Sequence, residues 1–375
     1  MKVLVWLSGW VDSAVAAYLL QQQGHEVVAG FMLNYMNEDD PSCTTKADLV
    51  SFHEVRQYLG IEAYEIFDYR EEYEHRILNY IYEWYQQGIT PNPDVYCNSL
   101  VKFDLFLKEA MQMWFDAIAT GHYARIEEIK QQWNKSEFTR VGICDLDTPW
   151  EWKRESGLKY KLLRGVDNSK DQSYFLSQLN QDQLSKSLFP LWGMNKSEVR
   201  QLAHHIWLPN ASRPDSQGLC FVGKVKMGDF LAEKLWSNPW NILDLQWTIV
   251  WHHEWAYRYT IWQRRWLYLP FQAYVSDVNV LDNIVTVARV NEEDILYTSK
   301  IMIHNAHWIS GEVPQFWSYQ CKIRYRQELQ KCTLKMSDNM MYIVNFDQPI
   351  KWVANGQIIV IYNEDEVIGS GVIQK

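Results

Sequence analysis

Apolar residues in the first half of the chain form short, nearly unbroken runs. Each run is followed by a stretch in which they recur every three or four positions. Residues 2–7 predict a buried parallel strand, and residues 13–23 predict a helix through Val15, Ala16, Leu19 and Leu20, with Gly24 where a C-cap belongs. The alternation repeats: a strand over 26–33, a helix over 44–59 closed by Gly60, a weaker strand over 61–67, and a long helix over 69–87 ended by Gly88. Pro91 and Pro93 predict an extended turn, followed by a helix over 101–113 and a strand over 117–120 running into Gly121-His122. This order implies an α/β fold: a parallel sheet with helices on both faces.

The period then changes. Residues 123–165 read as hairpin-like around a polar stretch at 130–153, and 171–183 and 196–206 as helices. Beyond about residue 241 short strands dominate, at 248–250, 285–290, 300–303, 321–325, 332–335, 341–346, 357–362 and 367–373. That spacing predicts a small mixed α/β domain and then a C-terminal all-β barrel. The boundaries expected are 1–207 for the first domain, 208–276 for the central one and 277–375 for the barrel.

Length and composition agree. A chain of 375 residues exceeds one average domain, and 47% hydrophobic with 22% charged residues excludes wholesale disorder. No apolar run reaches the length of a membrane span, and residues 1–5 lead straight into a strand without a secretory signal. Six dispersed cysteines without metal-ligand spacing read as free thiols, so the expected location is cytoplasmic, with no membrane partner. The net charge of −10 opposes non-specific nucleic-acid binding but leaves local basic patches open, such as Arg258, Arg264 and Arg265, or Lys322, Arg324 and Arg326. One ratio is abnormal: 19 Trp against 17 Gly, so that Gly is 17/375 = 4.5% of the chain, where about 7% is usual.

Four segments carry candidate chemistry. Leu7-Ser8-Gly9-Trp10-Val11-Asp12-Ser13 joins the first strand to the first helix, where backbone N–H groups and the helix dipole can meet a phosphate. It matches neither the Walker loop nor the dinucleotide pattern. A plain turn with Ser or Asp as N-cap explains the heptapeptide nearly as well. Thr90-Pro91-Asn92-Pro93-Asp94-Val95-Tyr96-Cys97-Asn98 sets a thiol three residues from a carboxylate that could move protons, and Cys220 in Asp215-Ser216-Gln217-Gly218-Leu219-Cys220-Phe221 is a second thiol. Ser169-Lys170-Asp171-Gln172-Ser173-Tyr174-Phe175-Leu176 mixes charge, amide and aromatic groups in a way that suits phosphate or ribose contact, or a helix cap.

The first of these resembles the S-G-G-x-D-S loop of N-type ATP pyrophosphatases (the PP-loop superfamily), with Trp10 at the second glycine. Together with Phe31-Met32, Ala119-Thr120-Gly121-His122-Tyr123, Leu163-Arg164-Gly165, residues 260–267, Arg324-Tyr325-Arg326-Gln327 and Gly356-Gln357, the four segments resemble the tRNA-specific 2-thiouridylase family along essentially the whole chain. The resemblance implies ATP-dependent replacement of oxygen by sulfur at carbon 2 of the wobble uridine of tRNA, through an adenylated oxygen and a cysteine persulfide. It implies that Trp6, Leu7, Ser8, Gly9, Trp10, Val11, Asp12 and Ser13, with Met32 and Gly121, bind ATP accompanied by Mg2+. Cys220 would carry a persulfide received from a sulfur-carrier protein or cysteine desulfurase. Cys97 would free the sulfur or close a Cys97–Cys220 disulfide, and Asp94 would act as general acid and base. Asn92 and Pro93 would flank the flipped uridine, and Lys170, Asp171, Gln172, Arg324 and Tyr325 would contact the tRNA, with His122 and Gln357 nearby. The alternatives are another adenylating enzyme of the superfamily, or a tRNA-binding relative whose nucleotide site Trp10 blocks.

The resemblance also gives the tryptophans a pattern. Trp6, Trp10, Trp114, Trp192, Trp207, Trp240, Trp247, Trp251, Trp255, Trp262 and Trp266 stand where that family usually has glycine. Exchanging these 11 gives 17 + 11 = 28 Gly, or 7.5%, and 19 − 11 = 8 Trp, both ordinary. The expectation is that UGA codons, written here as tryptophan, are read as glycine in the source.

Overall fold

A computed structural model describes residues 1–37, 43–130, 158–215, 222, 227–232, 234–235, 238–315, 318–337 and 341–374. Strands β1 (Lys2–Trp6), β2 (Glu26–Leu33), β3 (Tyr64–Asp68) and β4 (Ala117–Ala119) come first. The hairpin β5 (Ala124–Lys130) and β6 (Leu158–Arg164) precedes a short β7 (Ser187–Leu188). The first domain is a parallel sheet in the order β3-β2-β1-β4-β7. Side chains on β1 alternate between two cores: Val3 and Val5 pack with the helix Val11–Gln22, and Leu4 packs on the opposite face with Phe103, Phe106 and Ile118.

Two helical expectations shift. The chain does not wait until residue 101 to coil. Pro93 opens the helix Pro93–Cys97, which continues through Asn98–Leu105 and Phe106–Gln112. Proline at a first helical position loses nothing, because its missing N–H would have had no intrahelical partner. The helix expected over 171–183 is instead one tight turn, Ser173–Leu176, and a short helix, Gln181–Ser185, started by the reciprocal Asn180–Gln183 cap. Asp171 accepts from the Ser173 and Gly165 N–H groups and so diverts that backbone from helix.

The central sheet holds β8 (Trp240–Asp244), β9 (Ile249–His253), β10 (Ala273–Asn279) and β11 (Ile284–Arg289) in the order β10-β11-β8-β9. The expected boundary at 276/277 falls inside β10, and this sheet runs on to Arg289. The barrel comprises β12 (Thr298–Trp308), β13 (Ser318–Lys322), β14 (Gln330–Met336), β15 (Tyr342–Ile350), β16 (Ile358–Asn363) and β17 (Glu366–Gln374). It closes through β12–β17 around Ile301, Ile303, Leu334, Val344, Ile359 and Ile361. β17 also pairs with β6, so the β5–β6 hairpin ties the first domain to the barrel wall. Among the described residues no helix is long and apolar enough to cross a membrane.

Candidate active site

The loop Leu7–Ser13 leaves the carboxyl end of β1, the end at which open α/β sheets receive ligands. Leu7 is buried and continues the strand pairing through its N–H to the Gly30 carbonyl at 2.9 Å. Ser13 Oγ knots the loop, bonding the Ser8 N–H at 3.1 Å, the Ser8 hydroxyl at 3.0 Å and the Trp10 carbonyl at 2.9 Å. Gly9 takes φ +80°, and a Cβ there would lie 2.5 Å from the Asp48 carbonyl. Its own carbonyl accepts from Ser51, Asn210 and Arg213. Gly121 lets the end of β4 press on the loop, since a Cβ there would lie 2.8 Å from the Ser13 nitrogen. Met32, at the end of β2, is buried in the core behind the loop.

Neither Ser nor Asp caps the helix that follows. Trp10 stands at the N-cap with no side-chain hydrogen bond to the helix. Its ring lies against the Arg213 guanidinium at 3.8 Å. Arg213 is also paired with Asp48, whose carboxyl burial pushes above its ordinary value against the pull of Arg213.

Trp10, Val11 and Asp12 line a cleft of about 160 Å3, shared with Tyr123, Lys170, Gln172, Lys196, Arg200, Asp215 and Tyr325. Lys196 Nζ sits 2.6 Å from Asp12 Oδ1 and 2.9 Å from Asp215 Oδ1, and the Tyr123 hydroxyl donates to Asp12 at 2.7 Å. Burial pushes the Asp215 carboxyl up, but hydrogen bonds from Lys170, Lys196 and Arg200 outweigh it and hold the group well below the usual range. These cations frame a place for an anion. Sequence patterns missed Lys196, Arg200 and Arg213; the available signal was the helix start Asn195-Lys196-Ser197-Glu198, whose reciprocal cap aims Lys196 at the cleft. A wider hollow of about 430 Å3, lined by Lys2, Glu26, Glu62 and Phe115, lies at the opposite ends of the strands, away from these groups.

The second candidate segment lies where the first domain meets the barrel. Asp94 and Cys97 fall three apart on one helix and share a face, Asp94 half-buried and Cys97 buried. Asn92 donates its backbone N–H to the Tyr80 hydroxyl at 3.0 Å and its side-chain amide to the Tyr174 hydroxyl at 3.2 Å; the Tyr174 hydroxyl donates to the Ile358 carbonyl at 2.7 Å. Gln357 of the barrel donates to the carbonyls of Thr90 and Pro91. Gly356, at φ +86°, makes this seat possible, because a Cβ would stand 2.1 Å from the Ile89 side chain. Pro93, half-buried at the first helical position, turns the chain from that seat into the helix.

The residues expected at tRNA divide by exposure. Lys170 is half-exposed and paired with Asp215 at 2.8 Å. The Tyr325 ring packs on Phe175, and burial, then Asp171, push its hydroxyl up to about 12. Arg324 is half-buried, and burial draws its guanidinium below the ordinary value against the opposing effect of Tyr174. Gln172 is turned inward onto Tyr123. Asp171 is buried between Arg164 and Lys322, linking the first domain to β13. His122 is buried too, bonded to Thr120 at 2.7 Å, and burial, then the Lys102 charge, hold its imidazole well below the ordinary value. Lys322, read as part of a surface basic cluster, therefore points inward. Cys220 and residues 216–221 lie outside the described residues.

Two family descriptions match the chain: a tRNA methyl transferase HUP domain over residues 1–224 and an aminomethyltransferase beta-barrel domain over residues 298–373. The tRNA-specific 2-thiouridylase MnmA 1 of Geobacillus kaustophilus is 37% identical, covering 100% of this chain and 95% of that protein. The tRNA-specific 2-thiouridylases MnmA of Bordetella petrii and Karelsulcia muelleri are each 36% identical, covering 99% of this chain and 96% and 98% of those proteins. Likeness of this extent spans the nucleotide-type loop, the Asp94–Cys97 helix and the barrel that seats it, and the chain belongs to the tRNA-specific 2-thiouridylase family.

Proposed function

We propose that this chain thiolates carbon 2 of the wobble uridine of tRNA at the expense of ATP. The observation that carries the reading is the pairing of two sites across one domain junction. A backbone loop opens into a cationic cleft, and the Asp94–Cys97 helix is seated beside it on the barrel through Gln357 and Gly356.

The chemistry follows from the leaving group. A uracil carbonyl oxygen leaves poorly, so it first attacks the α-phosphorus of ATP, expelling pyrophosphate and becoming an adenylate. The loop N–H groups, Lys196 and Arg200 would hold the phosphates. Mg2+ fits as the companion of those phosphates, because it binds through one or two carboxylates plus substrate oxygens; Asp12 is the carboxylate at the loop. A persulfide sulfur on Cys220 then attacks carbon 2, and AMP departs. The Cys97 thiolate takes up the bond to Cys220 as the terminal sulfur leaves, so Cys97 is oxidised to a disulfide with Cys220 while the sulfur passes to the base. Asp94, on the same helix face as Cys97, would shuttle the proton. Asn92 and Pro93 would hold the base, which has to leave its stack to be reached. Half-exposed Lys170, Arg324 and Tyr325 would meet the backbone and bases, whereas buried Asp171 and His122 would position the site. The sulfur donor would be a persulfide carrier or a cysteine desulfurase.

The test is thiolation of a tRNA anticodon stem-loop by the purified chain with ATP, Mg2+ and a persulfide donor. The expected result is 2-thiouridine and equimolar AMP and pyrophosphate. Sulfur incorporation without ATP would remove the adenylation step.

A further inference from the structure

The backbone itself tests which tryptophans belong. Ten described non-glycine residues have positive φ, and six of them are tryptophan: Trp114, Trp207, Trp247, Trp262, Trp266 and Trp352, at +56° to +74°. For a bulky side chain that region is a genuine outlier, because Cβ crowds the carbonyl oxygen. Asn283 and Asn305, also in the set, are residues that tolerate it.

The helix ends provide an internal comparison. Five helices close with the same pair of bonds, in which one residue donates to the carbonyl three before it and the next donates to the carbonyl five before it. Gly24, Gly60 and Gly88 hold that first position, with φ +78°, +67° and +71°. Trp114 and Trp207 hold it in the other two, with φ +62° and +56°. Trp114 bonds Met111 and Phe115 bonds Ala110; Trp207 bonds His204 and Leu208 bonds Ala203. This cap selects glycine for its freedom at positive φ. The two indoles are 88% and 80% exposed, so packing offers no compensation.

The turns agree. Between β8 and β9, Asp244 donates its N–H to the Thr248 carbonyl and the Trp247 N–H bonds the Asp244 carbonyl, so Trp247 is the last of the three residues that this bonded pair encloses, the left-handed position of such a turn. Trp262 is the third residue of a turn closed by Gln263 N–H on the Thr260 carbonyl, the place that requires positive φ. Its indole N–H is buried without a partner. Trp352 is not among the 11 positions that the family resemblance marks, and the backbone adds it. Trp84 and Trp308 behave differently. Both have ordinary φ; Trp84 packs on Tyr80, and the Trp308 N–H reaches the Tyr342 hydroxyl at 3.4 Å.

We infer that the cell inserts glycine at all six left-handed positions, one codon being read as glycine there, while Trp84 and Trp308 are true tryptophans. The inference stands apart from the functional reading, since it concerns residue identity alone. The experiment is tryptic peptide sequencing by mass spectrometry of the protein purified from its source cells. Residues 109–125, 201–224 and 259–264 each form one tryptic peptide carrying a single one of these positions, the Arg213–Pro214 bond being resistant to trypsin. Glycine at the six positions with tryptophan at 84 and 308 is the expected result. Tryptophan at any of the six overturns the assignment.

Discussion

Two parts of the candidate site face the same junction but differ in how well their residues suit their backbone. The turn 90–97 is consistent at every level: Pro93 starts its helix, Asn92 is bonded on both sides, and Gly356 admits the barrel against it. The loop 7–13 keeps Gly9, Asp12 and Ser13 in order yet sets an indole at the N-cap, beside a cleft of about 160 Å3. Small-molecule sites commonly measure ~300–1,000 Å3. Among the described residues, the two parts thus differ at one position, Trp10, where a bulky side chain stands in the loop. A site decaying without use would lose Asp12 or Cys97 as readily as its glycines.

The largest effect expected is on the thiol. Cys97→Ser lowers tRNA thiolation by roughly 10^3-fold or more, as losing a nucleophile does, with ATP affinity unchanged; assay of 2-thiouridine beside nucleotide titration separates the two. Retained thiolation would take Cys97 out of the scheme and leave the turn only a structural part. Next, Gly356→Ala puts a methyl group where 2.1 Å is available at φ +86°. Strain and overpacking together give about 2–4 kcal/mol of destabilisation, read from the urea midpoint.

Trp114→Gly and Trp207→Gly each relieve a left-handed bulky residue, and each raises stability by ~1 kcal/mol. Gly24→Trp, at the matching cap, lowers it by a similar amount. Urea midpoints of the three variants give the comparison, and a loss of stability in the first two would show that the indoles are wanted. An effect of comparable size, confined to acid pH, is expected from His122. Buried His122 stays neutral when folded, with its imidazole held below the ordinary 6.5. The unfolded chain therefore binds a proton that the folded chain refuses as pH falls below 6.5, so stability declines with falling pH through that window. One such group contributes up to about 1.4 kcal/mol per pH unit. His122→Gln should flatten the unfolding free energy between pH 6.5 and 5.5 by up to that slope, leaving the contribution of His253, which burial also lowers.

Much of the fold was legible because its elements are locally consistent. Hydrophobic period alone placed β1, β2 and their helices, and Gly24, Gly60 and Gly88 marked helix ends that the structure confirms. The same signal was silent at Trp114 and Trp207, where the cap residue is written as its opposite. The expected helix at 171–183 failed because a buried carboxylate, Asp171, competes for the backbone, and no periodicity reveals a partner such as Lys322, 151 residues away. Motif reading found the loop and the thiol turn. It missed Lys196, Arg200 and Arg213, because single cations on helices and loops acquire meaning only when the fold brings them to one cleft.

Calorimetric titration of ATP into the chain as written and into its Trp10→Gly variant tests the central contrast most directly. Removing the indole should open the loop, so that the variant binds at least about tenfold more tightly, ~1.4 kcal/mol. Equal binding by the two chains would contradict the account, because Trp10 would then be no obstacle to the nucleotide.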